Sequence, residues 1–309
     1  MRALLRLVLA STVLVVTTLL LATPLLAVGW LKLLPLPALR RWVRQAMGTL
    51  LSHWISANNA WLHRSHAARW HISGLEDLPP ATTGCLVVSN HQSWVDILIL
   101  QGVLNRRLPP LRFFMKRELL WLPLVGVSCW ALDFLLMKRH SREFLARHPE
   151  RRGEDLATAR RACQRLRGVP VAIVCFAEGT RFSAAKHHAQ QSPYAHLLRP
   201  KAGGMALVLD ALADDISTVV DVTLHYPEGQ PRFIDLLAGR VQRVNVDICT
   251  RPRPALMAAR YSEDEHCRAA FQQWANQLWV EKDARLAQFT ALSTPLQGDN
   301  PTGTRPNAD

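Results

Sequence analysis

The chain has 309 residues, with 37 Lys and Arg against 24 Asp and Glu, a formal net charge of +13. Its 49% hydrophobic content, 15 Gly and 6 Cys exclude disordered, collagen-like and disulfide-scaffold proteins, and allow a sizeable core in one large domain or two small ones. The basic excess suits either a nucleic acid or an anionic membrane surface, and no zinc-finger spacing, Lys/Arg-rich run or RNP-like aromatic motif supports the first.

The N-terminus supports the second. From Leu7 to Leu34 the run carries one charge, Lys32, and it is long enough to cross a hydrocarbon core of roughly 30 Å at about 1.5 Å per residue. A cleaved signal peptide fits less well, because the run outlasts an h-region of about 7–15 residues and no clean small-x-small site follows. Arg2 and Arg6 precede the run, whereas Lys32, Arg40, Arg41, Arg44, Arg64 and Arg69 follow it, which places the bulk of the protein on the cytoplasmic side. Pro24 leaves open a bent helix or a hairpin returning to the same side. Residues 41–63 are predicted as a second helix, whose Trp42, Trp54 and Trp61 suit the headgroup layer; adjacency to the membrane run favours this over packing on a soluble core.

The remainder alternates. Strands are expected at Trp70–Gly74, Cys85–Ser89, Arg112–Lys116, Phe134–Met137, Val171–Phe176, Ser217–Tyr226 and Arg240–Cys249. Helices are expected at Ser93–Val103, Glu154–Arg167, Met205–Ala213 and over 262–289. The pattern argues for an α/β fold, a mixed sheet flanked by helices. Cys85, Cys129, Cys163, Cys175, Cys249 and Cys267 form no CxxC pair and read as reduced thiols. The expected division is 1–69 membrane-embedded and interfacial helices, 70–290 catalytic domain and 291–309 a disordered tail.

Three segments could carry chemistry. Ser89–Asp96 (SNHQSWVD) follows a strand and opens a helix. On one regular helix His91 and Asp96 would diverge by about 500° of rotation; they can meet if His91 lies in the turn and Asp96 in the first helical turn. The carboxylate would then fix the imidazole tautomer and leave the other nitrogen as a general base. Twelve His give about 0.6 accidental His-x4-Asp pairs at ordinary Asp frequency, so the position at a strand-to-helix turn matters more than the spacing. The second segment is Phe176–Phe182 (FAEGTRF), in which Arg181 could take a phosphate bidentately, Glu178 could accept from hydroxyls and Gly179 permits close backbone approach; a surface turn with an internal Glu–Arg pair is the plain alternative. The third, Arg199–Gly204, precedes a helix, and its amides with Lys201 could hold an anion or merely form a loop. His187, His188 and His196 form the densest histidine cluster; without acidic or thiol neighbours at ligand spacing they read as a solvated loop rather than a metal site.

In this order, the segments resemble the blocks of the PlsC-like 1-acylglycerol-3-phosphate acyltransferase family. Asn90-His91-x4-Asp96 is similar to its NHx4D block and Phe176-x-Glu178-Gly179-Thr180-Arg181 to its FPEGTR block. Lys116-x-Glu118-Leu119 with Pro123, Gly126 and Met137-Lys138-Arg139 resembles the block between them, and the likeness spans roughly residues 70–230. It departs from the family at Asp133, where Gly is frequent, at Lys138, where Asp often precedes the Arg, and at Ala177, where Pro precedes the Glu. The resemblance implies transfer of an acyl group from acyl-CoA or acyl-carrier protein to the hydroxyl of lysophosphatidate or a related lysophospholipid. In it, His91 is the base, Asp96 orients it, and Lys116, Arg139, Glu178, Gly179, Thr180, Arg181 and Lys201 lie on the acceptor. It implies no cofactor, metal or covalent acyl-enzyme, and partners that are membrane lipids rather than nucleic acid. Pro200-Lys201, Asp221-Val222-Thr223 and Tyr226-Pro227 resemble the branch that includes lysocardiolipin acyltransferases, and the whole pattern is most like the bacterial YihG-type enzymes, which implies an inner-membrane location with the catalytic domain facing the cytoplasm. A catalytically inactive lipid-binding protein of the same fold is the alternative.

Overall fold

The computed structural model describes residues 2–31, 34–65, 69–116, 120–121, 126, 132–137, 147–148, 154–255, 261 and 264–293. Glu118, Leu119, Pro123, Lys138, Arg139, Cys129 and the tail from residue 294 lie outside the described residues, as does the side chain of Lys116.

The long apolar run does not continue as one helix. α1 (Arg2–Trp30) passes through Pro24, and α2 (Pro37–Ser65) returns beside it. Thr17 donates to Asn58 Oδ1 (3.2 Å), the Trp54 indole donates to Thr18 (3.3 Å), and Val28 and Leu31 lie with Leu39 and Val43, so the pair is antiparallel. The two helices form a hairpin that turns after Trp30 and not at Pro24. Val43, Met47, Leu51 and Ile55 recur every four residues and form the buried stripe of α2. The stripe Leu4, Leu5, Val8, Leu9, Val15, Val16, Leu19 and Leu20 of α1 stays exposed, and Leu4–Leu21, mean hydropathy 2.3, is long and apolar enough to cross a membrane.

A seven-stranded sheet follows, in the order β1-β7-β6-β2-β5-β3-β4. Its strands are β1 (Arg69–Ser73), β2 (Gly84–Ser89), β3 (Leu111–Lys116), β4 (Leu135–Met137), β5 (Ala172–Phe176), β6 (Ile216–His225) and β7 (Arg243–Pro252). Every pairing is parallel except β6 with β7. Parallel strands covered on both faces read as unbroken apolar runs, and the fully buried CLVVS of β2 is such a run. Its Leu86 and Val88 face α4 (Glu154–Gln164), α6 (Ala202–Ala211) and α8 (Glu265–Ser293), while Cys85 and Val87 face α3 (Val95–Leu104). Cys85, Cys163 and Cys249 are free thiols.

Two elements differ from the sequence expectation. The His187-His188 segment is a short helix, α5 (Ala184–Gln190), started by the Ser183 hydroxyl accepting from the Lys186 amide. It has no buried residue, so no apolar periodicity marks it. α7 (Phe233–Leu237) is equally short and begins with an Arg232–Asp235 capping box rather than a Ser or Thr. Asp133 adopts φ +56°, the left-handed region that glycine favours and Asp tolerates better than most residues.

Candidate active site

The carboxyl ends of β2 and β5 are adjacent, because Ser89 pairs with Phe176. The chain leaves both strands at the same edge, where open α/β sheets expose groups to ligands. Asn90 fixes the exit from β2: its side-chain amide donates to the Leu224 carbonyl (2.9 Å), and its oxygen accepts from the Leu224 amide (2.8 Å). It thereby stands in for a strand residue beside β6.

His91 lies in the loop and Asp96 in the first turn of α3, and the two meet, with His91 Nδ1 2.8 Å from Asp96 Oδ2. The same oxygen accepts from the backbone amides of Gln92 (2.6 Å) and Ser93 (2.9 Å), while Oδ1 accepts from the Tyr226 hydroxyl (2.7 Å). Asp96 is fully buried, with four donors on its two oxygens. Burial, reinforced by the Asp96 charge, pushes the Tyr226 hydroxyl well above its ordinary value, so it stays protonated as a donor. The imidazole stacks on Phe176 at 3.9 Å between centroids, and Nε2 is the ring nitrogen left for a substrate.

The turn after β5 supplies the second half. Glu178 is 1% exposed; Oε1 accepts from the His91 amide (3.0 Å) and Oε2 from the Leu198 amide (3.2 Å). The expectation that this carboxyl accepts from substrate hydroxyls meets a different geometry: its oxygens point inward and tie the histidine loop to the segment before α6. Burial lifts Glu178 from 4.5 to about 8, against the pull of those amides. Gly179 has φ +70°, and a β-carbon there would lie 3.2 Å from Lys201 Nζ and Cδ, so Lys201 packs over the bare glycine. The Lys201 amide donates to the Ala177 carbonyl (2.7 Å), and Lys201 is the N-cap residue of α6.

Arg181 sits beside this turn with its guanidinium carbon 4.9 Å from the Trp94 ring centroid, a cation–π contact. The Phe182 amide donates to the His91 carbonyl (2.7 Å), which holds Arg181 next to the histidine loop. Lys186 donates to Thr180 Oγ1 (2.8 Å) and to the Arg181 carbonyl (2.9 Å). Arg181, Lys186 and Lys201 thus place three cations around one turn. Sequence reasoning missed Lys186 and the roles of Tyr226 and Asn90. Tyr226 lies 130 residues from Asp96, and only the adjacency of β6 to β2 brings them together. His187, by contrast, bonds the Tyr194 carbonyl (2.6 Å), and among the described residues no three His, Cys, Asp or Glu side chains are grouped to hold a metal ion.

A family model described as Acyltransferase matches residues 69–226, half of the chain and all of these site elements. The chain belongs to the acyltransferase family. The chain is 26% identical over 220 residues to 1-acyl-sn-glycerol-3-phosphate acyltransferase 3 of Arabidopsis thaliana, covering 66% of this chain and 53% of that protein. It is 27% identical over 212 residues to 1-acyl-sn-glycerol-3-phosphate acyltransferase gamma of Mus musculus, covering 64% and 51%. The matches thus span about half the length of these curated relatives. The crystal structure of the 1-acyl-sn-glycerophosphate (LPA) acyltransferase PlsC from Thermotoga maritima has the same fold, with a TM-score of 0.55 at 17% identity over 93% of this chain and 98% of that one.

Proposed function

We propose that the protein transfers a fatty acyl group from acyl-CoA or acyl-carrier protein to the free hydroxyl, at sn-2, of lysophosphatidate or a related lysophospholipid. The carrying observation is the buried Asp96 with four donors, one of them His91 Nδ1. A carboxylate held this way keeps the proton on Nδ1 and leaves Nε2 as the base. The acceptor hydroxyl gives its proton to Nε2 as its oxygen attacks the thioester carbonyl. The C–O bond forms, the C–S bond breaks, and the imidazolium returns the proton to the leaving thiolate. A thioester is already activated, so proximity and proton transfer supply most of what the step needs.

Arg181 and Lys201, with Lys116 and Arg139, hold the acceptor phosphate in this reading. The bare Gly179 lets Lys201 lie against the turn, Thr180 shapes the turn through Lys186, and Glu178 acts by positioning the His91 amide. The exposed apolar stripe of α1 enters the membrane in which acceptor and product reside, at the cytoplasmic face of an inner membrane. The likeness to YihG-type enzymes keeps two acceptors in this reading, lysophosphatidate and a larger lysophospholipid such as lysophosphatidylglycerol. Wild-type and His91→Ala protein, assayed with acyl-CoA and a panel of lyso-acceptors, test the proposal. The variant should lose at least about 10³-fold, the scale of a missing catalytic group; equal rates would overturn it.

A further inference from the structure

The opposite end of the sheet carries a second site. A cavity of about 790 Å³ lies between α2, the carboxyl end of α3 and the starts of β3 and β5. It borders Ala81 before β2, Leu111 and Arg112 opening β3, and Pro170 before β5. His91 follows the other end of β2, a six-residue strand, so roughly 20 Å of sheet separates the two at about 3.3 Å per residue.

Arg41, Arg44, Arg106 and Arg112 line this cavity, and no Asp or Glu is among its described lining residues. Arg112 is only 4% exposed and its Nε has no hydrogen-bond partner; one terminal nitrogen donates to the Leu111 carbonyl at 3.3 Å. Arg44 Nε is also buried without a hydrogen bond, 3.6 Å from Asp133. A buried guanidinium with an unmet donor is costly, and among the described residues four guanidiniums stand against one neighbouring carboxylate, Asp133. Leu51, Leu104 and Leu108 form an apolar stretch of wall among polar Gln45, Ser52 and His53.

We propose that this cavity binds the phosphate of an anionic phospholipid that is not the substrate, with its hydrocarbon along the apolar wall. Guanidinium forks match phosphate geometry, and α2 joins the cavity to the apolar hairpin. The choice of a lipid over a free anion rests on the membrane contact proposed above for that hairpin; it does not rest on the transfer chemistry.

The test uses the full chain in neutral detergent, with phosphatidylglycerol as probe and phosphatidylcholine and inorganic phosphate as comparators, read by native mass spectrometry and thermal unfolding. Wild type should retain one phosphatidylglycerol at least about tenfold more tightly than phosphatidylcholine, a difference of about 1.4 kcal/mol. Arg41→Ala with Arg106→Ala, both at exposed positions, should remove that preference while leaving lipid-free unfolding unchanged. Arg112→Lys, which keeps the charge and loses the fork, should weaken it. Arg181→Ala, which removes a proposed contact to the acceptor phosphate, should bind as wild type does, separating this site from the one that holds substrate and product. Equal retention of the two lipids, undiminished binding by the Arg41/Arg106 variant, or stabilisation by inorganic phosphate as large as that by the lipid would each overturn the proposal. Neutral-vesicle flotation reports the hairpin's membrane contact independently.

Discussion

Asp96→Asn is the substitution whose outcome the geometry fixes most tightly. In a serine-protease triad the corresponding change costs about 10⁴ in rate, because the amide presents its NH2 to the histidine and inverts the tautomer. Here Oδ2 accepts not only from His91 Nδ1 but also from the Gln92 and Ser93 amides. Backbone N–H groups cannot accept, so the asparagine oxygen must occupy the Oδ2 position and its NH2 the Oδ1 position. There it faces the Tyr226 hydroxyl, which can rotate from donor to acceptor. The four contacts survive, the His91 tautomer is kept, and only the negative charge is lost. A hydrogen bond to a charged group contributes about 1.5–3 kcal/mol and a neutral one about 0.5–1.5. The difference of about 1–2 kcal/mol corresponds to a fall of roughly 5- to 30-fold in kcat/KM. Asp96→Ala, which strands the three donors on Oδ2, should fall much further. Steady-state transfer from acyl-CoA, with folding checked by thermal unfolding, separates these outcomes. An Asp96→Asn rate as low as that of Asp96→Ala or His91→Ala would refute the reasoning.

Three further outcomes are expected. Glu178 is raised from 4.5 to about 8 by burial, so its contribution to stability is fully present below about 4.5 and lost as pH rises through about 8; Glu178→Gln should show a shallower fall in unfolding free energy across that window, and equal slopes would contradict it. Lys282→Met leaves buried Asp221 without the ammonium that bonds it, at a cost of about 3–5 kcal/mol by chemical denaturation; a second change, Asp221→Leu, should restore part of the loss. Arg181→Ala should raise the acceptor KM more than the donor KM, and an unchanged acceptor KM would remove the phosphate role.

Much of this was legible in one dimension because the relevant physics is local. Buried parallel strands announce themselves as apolar runs, and β2 and β5 lie within a residue of where CLVVS and VAIVCF place them. The meeting of His91 and Asp96 was foreseeable because a turn followed by a first helical turn is the arrangement that lets a five-residue spacing close. Tyr226 and Leu224 were not, since their partners are set by sheet order. Glu178 shows the converse error: an acidic residue beside an arginine in a turn reads as a surface pair, yet burial turns its oxygens onto two backbone amides.

Lys282 shows what a stricter reading could have drawn from the sequence. Phe271, Ala275, Leu278, Trp279 and Leu286 form the buried stripe of α8, and residue 282 falls on it, three beyond Trp279 and four before Leu286. A lysine on such a stripe either snorkels out or requires buried acceptors. Here it is fully buried, and its ammonium donates to Asp221 Oδ1, to the Val222 carbonyl (2.7 Å) and to Thr223 Oγ1 (3.3 Å), three acceptors for three protons. Arg251 and Arg285 approach the other Asp221 oxygen at 3.7 and 3.9 Å, and Glu281 and Asp247 balance them. The cluster joins α8 to β6 just before Leu224, the residue that Asn90 clips. A buried pair of this kind adds little net stability but fixes register, because a slip by one residue would leave a charge unpaired. That places it behind the strand end carrying Tyr226, on which the second oxygen of Asp96 depends.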